Sequence, residues 1–247
     1  CLVGSEMCIR DRKRMEALSP DIVIGMKYLY SNMPYSDVGN YTFDTYLDYV
    51  QQGIYLWENS PYVKNYPELY FLNYVLFHRT NDEEIKPCRT YFWKKIKDKV
   101  QGKAMVEAAL EINHWCAGEV MCQGTDMRTG SALEIYRSGV GRCGEEAVFV
   151  VNVMRSAGIP ARPVYVPRWS HCDDNHAWVE VWCDGDWHYL GACEPEAVLD
   201  KGWFTNAASR AMMIGSRWYD RAMPDEKVIG KDGMNRIINL LGKYAKT

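Results

Sequence analysis

Nine cysteines occur in the 247 residues, yet no two form a CxxC pair and their spacings build no regular framework. A chain of this length buries a core without covalent staples, so these cysteines read as free, mostly buried thiols, with a Cys116–Cys122 bridge left open. No run approaches the roughly 18 apolar residues of a membrane-spanning helix, so no transmembrane segment is expected. An excess of one charge is also lacking: 29 Lys and Arg face 32 Asp and Glu, a net charge of −3. That leaves no basic footprint for nucleic acid or for an anionic membrane. No internal repeat and no low-complexity linker interrupt the chain.

What is present is a globular profile, 47% hydrophobic and 25% charged, with 17 Tyr and 9 Trp. So many rings suit a large core and a groove lined by aromatic faces, but they name no ligand. The first twelve residues, "CLVGSEMCIRDR", have no helical or strand period and are expected to be a non-native leader. The remainder divides, as an expectation, into a helical extension over 13–100, a core over 101–222 and the start of a truncated region over 223–247. The whole reads as a piece of a longer protein.

The periodicity predicts helices first. Over 43–58, Phe43, Tyr46, Leu47, Val50 and Ile54 form one apolar stripe. Over 67–79 the pattern is apolar almost all round behind Pro67, which predicts a buried helix. Over 102–120, Met105, Val106, Ala109, Ile112 and Cys116 recur at helical spacing. Ser131 and Glu134 form a capping box for a helix over 131–139. One more helix runs over 144–157, closed by Gly158 and Pro160. Strand signals follow. "ARPVYVPRW" (161–169), with proline at both ends, predicts a strand at a sheet edge. "HAWVEVWCDGDWHYLGA" (176–192) predicts a hairpin turning at Asp184-Gly185. Weaker strands are predicted over 210–219 and 233–242. Helices followed by antiparallel strands define an α+β class, the sheet packed on the helix that begins at Cys143.

Two elements carry chemistry. In "GRCGEEAVFV" (141–150), Cys143 opens a helix, where free backbone N–H groups and the positive dipole end favour thiolate. Gly141 and Gly144 let the chain turn and leave room for a substrate carbonyl, and the Cys143 N–H is placed to meet an oxyanion. In "DDNHAWVEVW", His176 starts a strand that packs against that helix, within reach of the thiol as a proton acceptor. Either element alone reads as structural, a cysteine in a glycine turn or a histidine at a strand end.

Together, "GRCGEEAVFVVNVMRSAGIPARPVYV" and "NHAWVEVWCDGDWHYLG" resemble the transglutaminase-like superfamily, over about residues 104–195. The resemblance implies a papain-like α+β core, with Cys143 as nucleophile and His176 as general base. The family includes transglutaminases, peptide N-glycanases and bacterial cysteine peptidases, and the chain looks most like bacterial members of unassigned substrate. The resemblance therefore implies thiol-dependent acyl transfer on peptide or amide bonds, ending in hydrolysis or amine transfer. Peptide, protein or glycopeptide substrates follow from it, and a secreted or cell-envelope location is one option. It calls for no cofactor.

One position departs. The family places an Asp at the end of the second hairpin strand, where this chain has Gly191. Glu194 is expected to reach back as the orienting carboxylate, with Glu196, Asp173 and Asp174 as weaker candidates. The indole of Trp115 or the amide of Asn113, in "INHWC", is the expected upstream oxyanion donor. His171, Cys172, His176, Cys183 and Cys193 fit no metal-ligand spacing on one element, so no metal site is expected. The rival function is a non-catalytic binding module on the same scaffold.

Overall fold

The computed structural model describes residues 11–126, 128–220, 223–232 and 235–245. All but the last two residues of the expected leader lie outside them. The first half is helical: α1 (Pro20–Asn32), α2 (Tyr35–Asn40), α3 (Phe43–Asn59), α4 (Glu68–Phe71), α5 (Arg89–Val100) and α6 (Met105–Glu119). Phe43, Tyr46 and Val50 of the α3 stripe are buried, and Leu47 and Ile54 pack against the same core.

The helix expected over 67–79 is shorter than its pattern. After α4 it widens into a π turn over Leu72–Leu76 and ends at Phe77, whose backbone is extended. Buried arginines account for the early stop. Arg89 donates to the carbonyl oxygens of Val75 (2.7 Å) and Phe77 (3.1 Å), and Arg155 also donates to Phe77 (3.1 Å). Carbonyls satisfied by guanidinium groups need no helical partner, so the chain can leave the helix inside the core.

A short parallel pair, β1 (Met121–Cys122) and β2 (Val140–Gly141), brackets α7 (Ala132–Ser138). Ser131 and Glu134 form the expected capping box. Next comes α8 (Cys143–Ser156), in which every residue from Glu145 to Ser156 is buried. It packs on β3 (Ala161–Val166) and β4 (His176–Cys183), with α5, α6 and α7 around its other sides. The six-stranded antiparallel sheet runs β5-β4-β3-β6-β8-β7, completed by β5 (Asp186–Leu190), β6 (Gly215–Trp218), β7 (Val228–Asp232) and β8 (Asn235–Asn239). Asp184 and Gly185 both have positive φ (53° and 90°), as the hairpin signal requires. Two short helices, α9 (Thr205–Ala208) and α10 (Leu241–Tyr244), lie in the second half.

One strand is misplaced by its prolines. β3 is not at an edge but between β4 and β6. Pro163 is tolerated because β6 pairs with β3 only at Tyr165 and Gly215. The side of residue 163 that lacks an N–H faces a ladder that has already ended, and the Ser216 hydroxyl donates to its carbonyl at 2.6 Å.

The motif residues Arg162 and Glu180 stand opposite each other on β3 and β4 and form a buried ion pair at 2.7 Å. The Tyr244 hydroxyl donates to Glu180 (2.7 Å) and accepts from the Trp178 indole (2.9 Å). This network fixes the strand that begins at His176 and ties α10 to it.

Candidate active site

Cys143 is the first residue of α8 and His176 the first of β4, so the packing of helix on sheet brings both to one end of the core. They line a cavity of about 930 Å³ together with Glu194, Trp169 and Trp203. Glu145 secures the helix start by accepting the Arg142 N–H at 3.0 Å and the Gly130 N–H at 3.2 Å. A Cβ on Gly144 would stand in open space, whereas one on Gly141 would press on Ile135 and Glu145 at 3.2–3.3 Å. Gly141 permits close packing, and Gly144 leaves the flank of Cys143 clear.

Burial pushes the Cys143 thiol above its ordinary value, although the backbone N–H groups of Ala177 and Gly144 pull it down. The thiolate favoured by the helix start is therefore outweighed by desolvation. His176 is 6% exposed, and its buried Nε2 has no hydrogen-bond partner. Burial lowers it to about 4, against the pull of Asp174. Both groups are neutral near pH 7, and among the described residues no hydrogen bond joins them.

The imidazole sits in an aromatic setting, 4.7 Å from the Trp203 ring, 5.2 Å from Phe204 and 6.3 Å from Trp169. Trp203 also donates its indole N–H to Glu194 Oε1 at 2.9 Å. Glu194 folds back over Gly191: a Cβ on residue 191 would come within 2.7 Å of the Glu194 Cβ and 3.2 Å of its Cδ, with Oε2 nearer still. That Oε2 is buried and has no partner. Burial raises the carboxyl group, and the Trp203 bond partly offsets this. Cys193, between the two, is held in the left-handed region at φ 57°. One turn along the helix from Cys143, Glu146 is 3% exposed and raised to about 7 by burial and by the nearby Glu194, with a hydrogen bond from Cys122 opposing.

Asn113 and Trp115 are not among the residues that line this cavity. Asn113 is buried and clasps the 191–194 turn, donating to the Gly191 oxygen (2.9 Å) and accepting from the Cys193 N–H (3.1 Å). Trp115 packs against Tyr136 and Phe149. Glu196 pairs with Lys201 at 2.8 Å and Asp173 with Arg168 at 3.3 Å, while Asp174 lines the cavity. The seven described cysteines are free thiols, Cys116 and Cys122 included. Among the described residues no three His, Cys, Asp or Glu side chains group as metal ligands. Sequence reading missed Trp203, because a lone exposed ring in a loop carries no periodic signal.

Residues 94–192 match the model of the transglutaminase-like superfamily. The resemblance carried by the two motifs is borne out over this span, and the fold is a mixed helix and antiparallel-sheet structure with a transglutaminase-like core and a helical N-terminal region. Among solved structures, the chain is similar to a putative cysteine protease from Cytophaga hutchinsonii, at 17% identity over 61% of this chain and 57% of that one, with a TM-score of 0.36. It is also similar to a putative protease from Parabacteroides distasonis, at 14% identity over 70% of this chain and 29% of that one, with a TM-score of 0.39. The chain thus matches less than two thirds of the length of either. No curated protein matches it.

Proposed function

We propose that the chain catalyses thiol-dependent acyl transfer on peptide or amide bonds, ending in hydrolysis. The observation that carries this reading is a single cavity holding a helix-start thiol, a buried imidazole with an unpartnered nitrogen, and a carboxyl group folded over Gly191. Neutral His176 would take the Cys143 proton as sulfur attacks the carbonyl carbon. The Cys143 N–H, at a helix position without an intrahelical acceptor, would meet the developing oxyanion. The imidazolium then returns the proton to the leaving amine, leaving a thioester. Water, deprotonated by His176, resolves the thioester to a carboxylic acid and a free thiol. Glu194, held by Trp203, would supply the negative charge that stabilises the imidazolium.

A second reading, a binding module that uses this cavity without turnover, draws on the missing Cys143–His176 bond and the raised thiol. The test is a peptide and glycopeptide library with and without a primary amine, read by mass. Expected are hydrolysis products that vanish in Cys143→Ala. Dominant amine adducts would turn the reading to transfer, and no turnover by a folded protein would leave the binding module.

A further inference from the structure

Two glutamates follow Cys143 side by side in sequence and differ in their partners. Glu145 is buried among donors: it accepts from the Arg142 N–H (3.0 Å), the Gly130 N–H (3.2 Å) and the Thr125 hydroxyl. Burial would raise it, but these bonds and the Arg142 guanidinium hold it below its ordinary value. Glu146, equally buried, has no such set. It shares a hydrogen bond with the Cys122 thiol, and among the described residues no Lys, Arg or His pairs with it. A buried carboxylate with neither a cation nor backbone donors is costly, so its neutral form is favoured. The acyl-transfer scheme makes no use of Glu146.

Its neighbours give this carboxyl group a role. Glu146 stands three residues after Cys143, so both lie on one face of α8. β1 brings Cys122 beside them: Cys122 pairs with Gly141, and the Gln123 N–H reaches the Gly141 oxygen at 2.9 Å. The turn after β5 brings Cys193 and Glu194 within electrostatic reach of Glu146. All four neighbours become anions when they ionise, and Cys122, Cys143 and Glu194 line the same cavity. A negative charge on Glu146 therefore repels each of them. Burial is the larger reason that the Cys143 thiol is raised; a charge on Glu146 adds to it, and Arg142 opposes. Burial, with Glu194 adding and the Cys122 bond opposing, raises Glu146 to about 7. The charge on Glu146 thus forms just before the thiol begins to ionise.

We propose that Glu146 sets the pH range in which Cys143 ionises: as a neutral carboxyl group it leaves the thiol free to lose its proton, and as a carboxylate it holds that proton back. Glu146 is not among the residues that line the cavity, so it acts through the thiol, as a positioning residue. The inference deepens the acyl-transfer reading and rests on it only for what the thiolate then attacks. The test is alkylation by iodoacetamide from about pH 5.5 to 9, in wild type and in Glu146→Gln. Trypsin cuts after Arg142 and Arg155, so mass spectrometry reads Cys143 apart from every other cysteine. Below about pH 6 the two proteins are expected to label at the same rate, because the wild-type carboxyl group is then as neutral as the amide. By about pH 8.5 the variant is expected to label about threefold faster. A merely structural role would shift both ends of the profile together. Equal rates at every pH, a constant ratio across the range, or a variant slower than wild type at the alkaline end would each overturn the proposal. Glutamine keeps the volume of the side chain, and circular dichroism checks the fold. Unfolding of both Glu146→Gln and a second neutral variant, Glu146→Met, would also overturn it, since the place would then demand a charge. Alkylation needs no turnover, so failure of the catalytic reading shows separately, in the library test.

Discussion

The carboxyl group of Glu194 occupies the volume that a side chain on Gly191 would need. The carboxylate that the superfamily carries at the strand end is, on the proposed reading, supplied from three residues further along. This can be tested by exchange. Gly191→Asp alone is expected to overpack the turn and cost about 1–3 kcal/mol of stability, with loss of turnover. Combining it with Glu194→Gly, which removes the obstructing Cβ, is expected to restore part of both. Wild-type turnover in Glu194→Gln would mean that Glu194 is not the orienting acid.

Cys143→Ala and His176→Ala are each expected to abolish turnover with circular dichroism unchanged; the thermal midpoint stays near wild type in Cys143→Ala and falls by several degrees in His176→Ala, which empties a place among aromatic rings. Cys143 stands at the cavity wall, where its loss removes little packing, and His176 stands at a strand end with its Nε2 unpartnered. Retained activity in either variant would refute the assigned roles.

Trp203→Phe keeps a ring beside His176 and removes the N–H that holds Glu194. A charge-assisted hydrogen bond of this kind predicts about a tenfold fall in kcat, with KM little changed. Trp203→Ala also opens the imidazole to water and is expected to lower the rate further and raise the pH of the acid limb. Wild-type kcat in Trp203→Phe would show that the indole bond plays no part.

The direction of the two titrations fixes a pH signature. With the thiol raised and His176 lowered to about 4, the resting site is a neutral pair rather than a thiolate–imidazolium pair. Alkylation of Cys143 by iodoacetamide is expected to be slow at pH 6 and to climb steadily into the alkaline range. The acid limb of kcat/KM is expected near pH 4, since the base stays unprotonated down to there. Fast labelling at pH 6 would contradict this electrostatic picture.

His176 also links pH to stability. Its folded value lies below its unfolded value near 6.5, so between about 4 and 6.5 the unfolded chain binds more protons. Its contribution is full above that window and is lost as pH falls through it, by roughly 3 kcal/mol at the acid end at 1.36 kcal/mol per unit. His78, buried and lowered to about 4, acts over the same range. His176→Gln should therefore flatten, without abolishing, the fall of Tm from pH 6.5 to 4. An unchanged slope in that variant would show that His176 titrates normally.

The main elements were legible because their periods are simple. The α3 stripe, the α7 capping box and the Asp184-Gly185 turn each follow from local residues alone. What was not legible depended on distant partners. The stop at Phe77 is caused by Arg89 and Arg155, which lie 12 and 78 residues away in sequence. β3 reads as an edge by its prolines, and only the short reach of β6 makes room for Pro163 inside the sheet. At the site, the motifs pointed to Cys143, His176 and the gap at Gly191. Trp203 and the balance of burial against helix dipole at Cys143 depend on tertiary packing, which no local pattern encodes.

The helix that carries Cys143 has no wet face: from Glu145 to Ser156 each residue is enclosed by helices on some sides and the sheet on another. Such a frame resists gradual change, since a new side chain there must be answered by several neighbours at once. The largely exposed rims over 122–126, 170–175 and 195–203 face no such demand. Sequence change is therefore expected to accumulate in the loops around the Cys143 cavity, while the helix that carries Cys143 stays as it is.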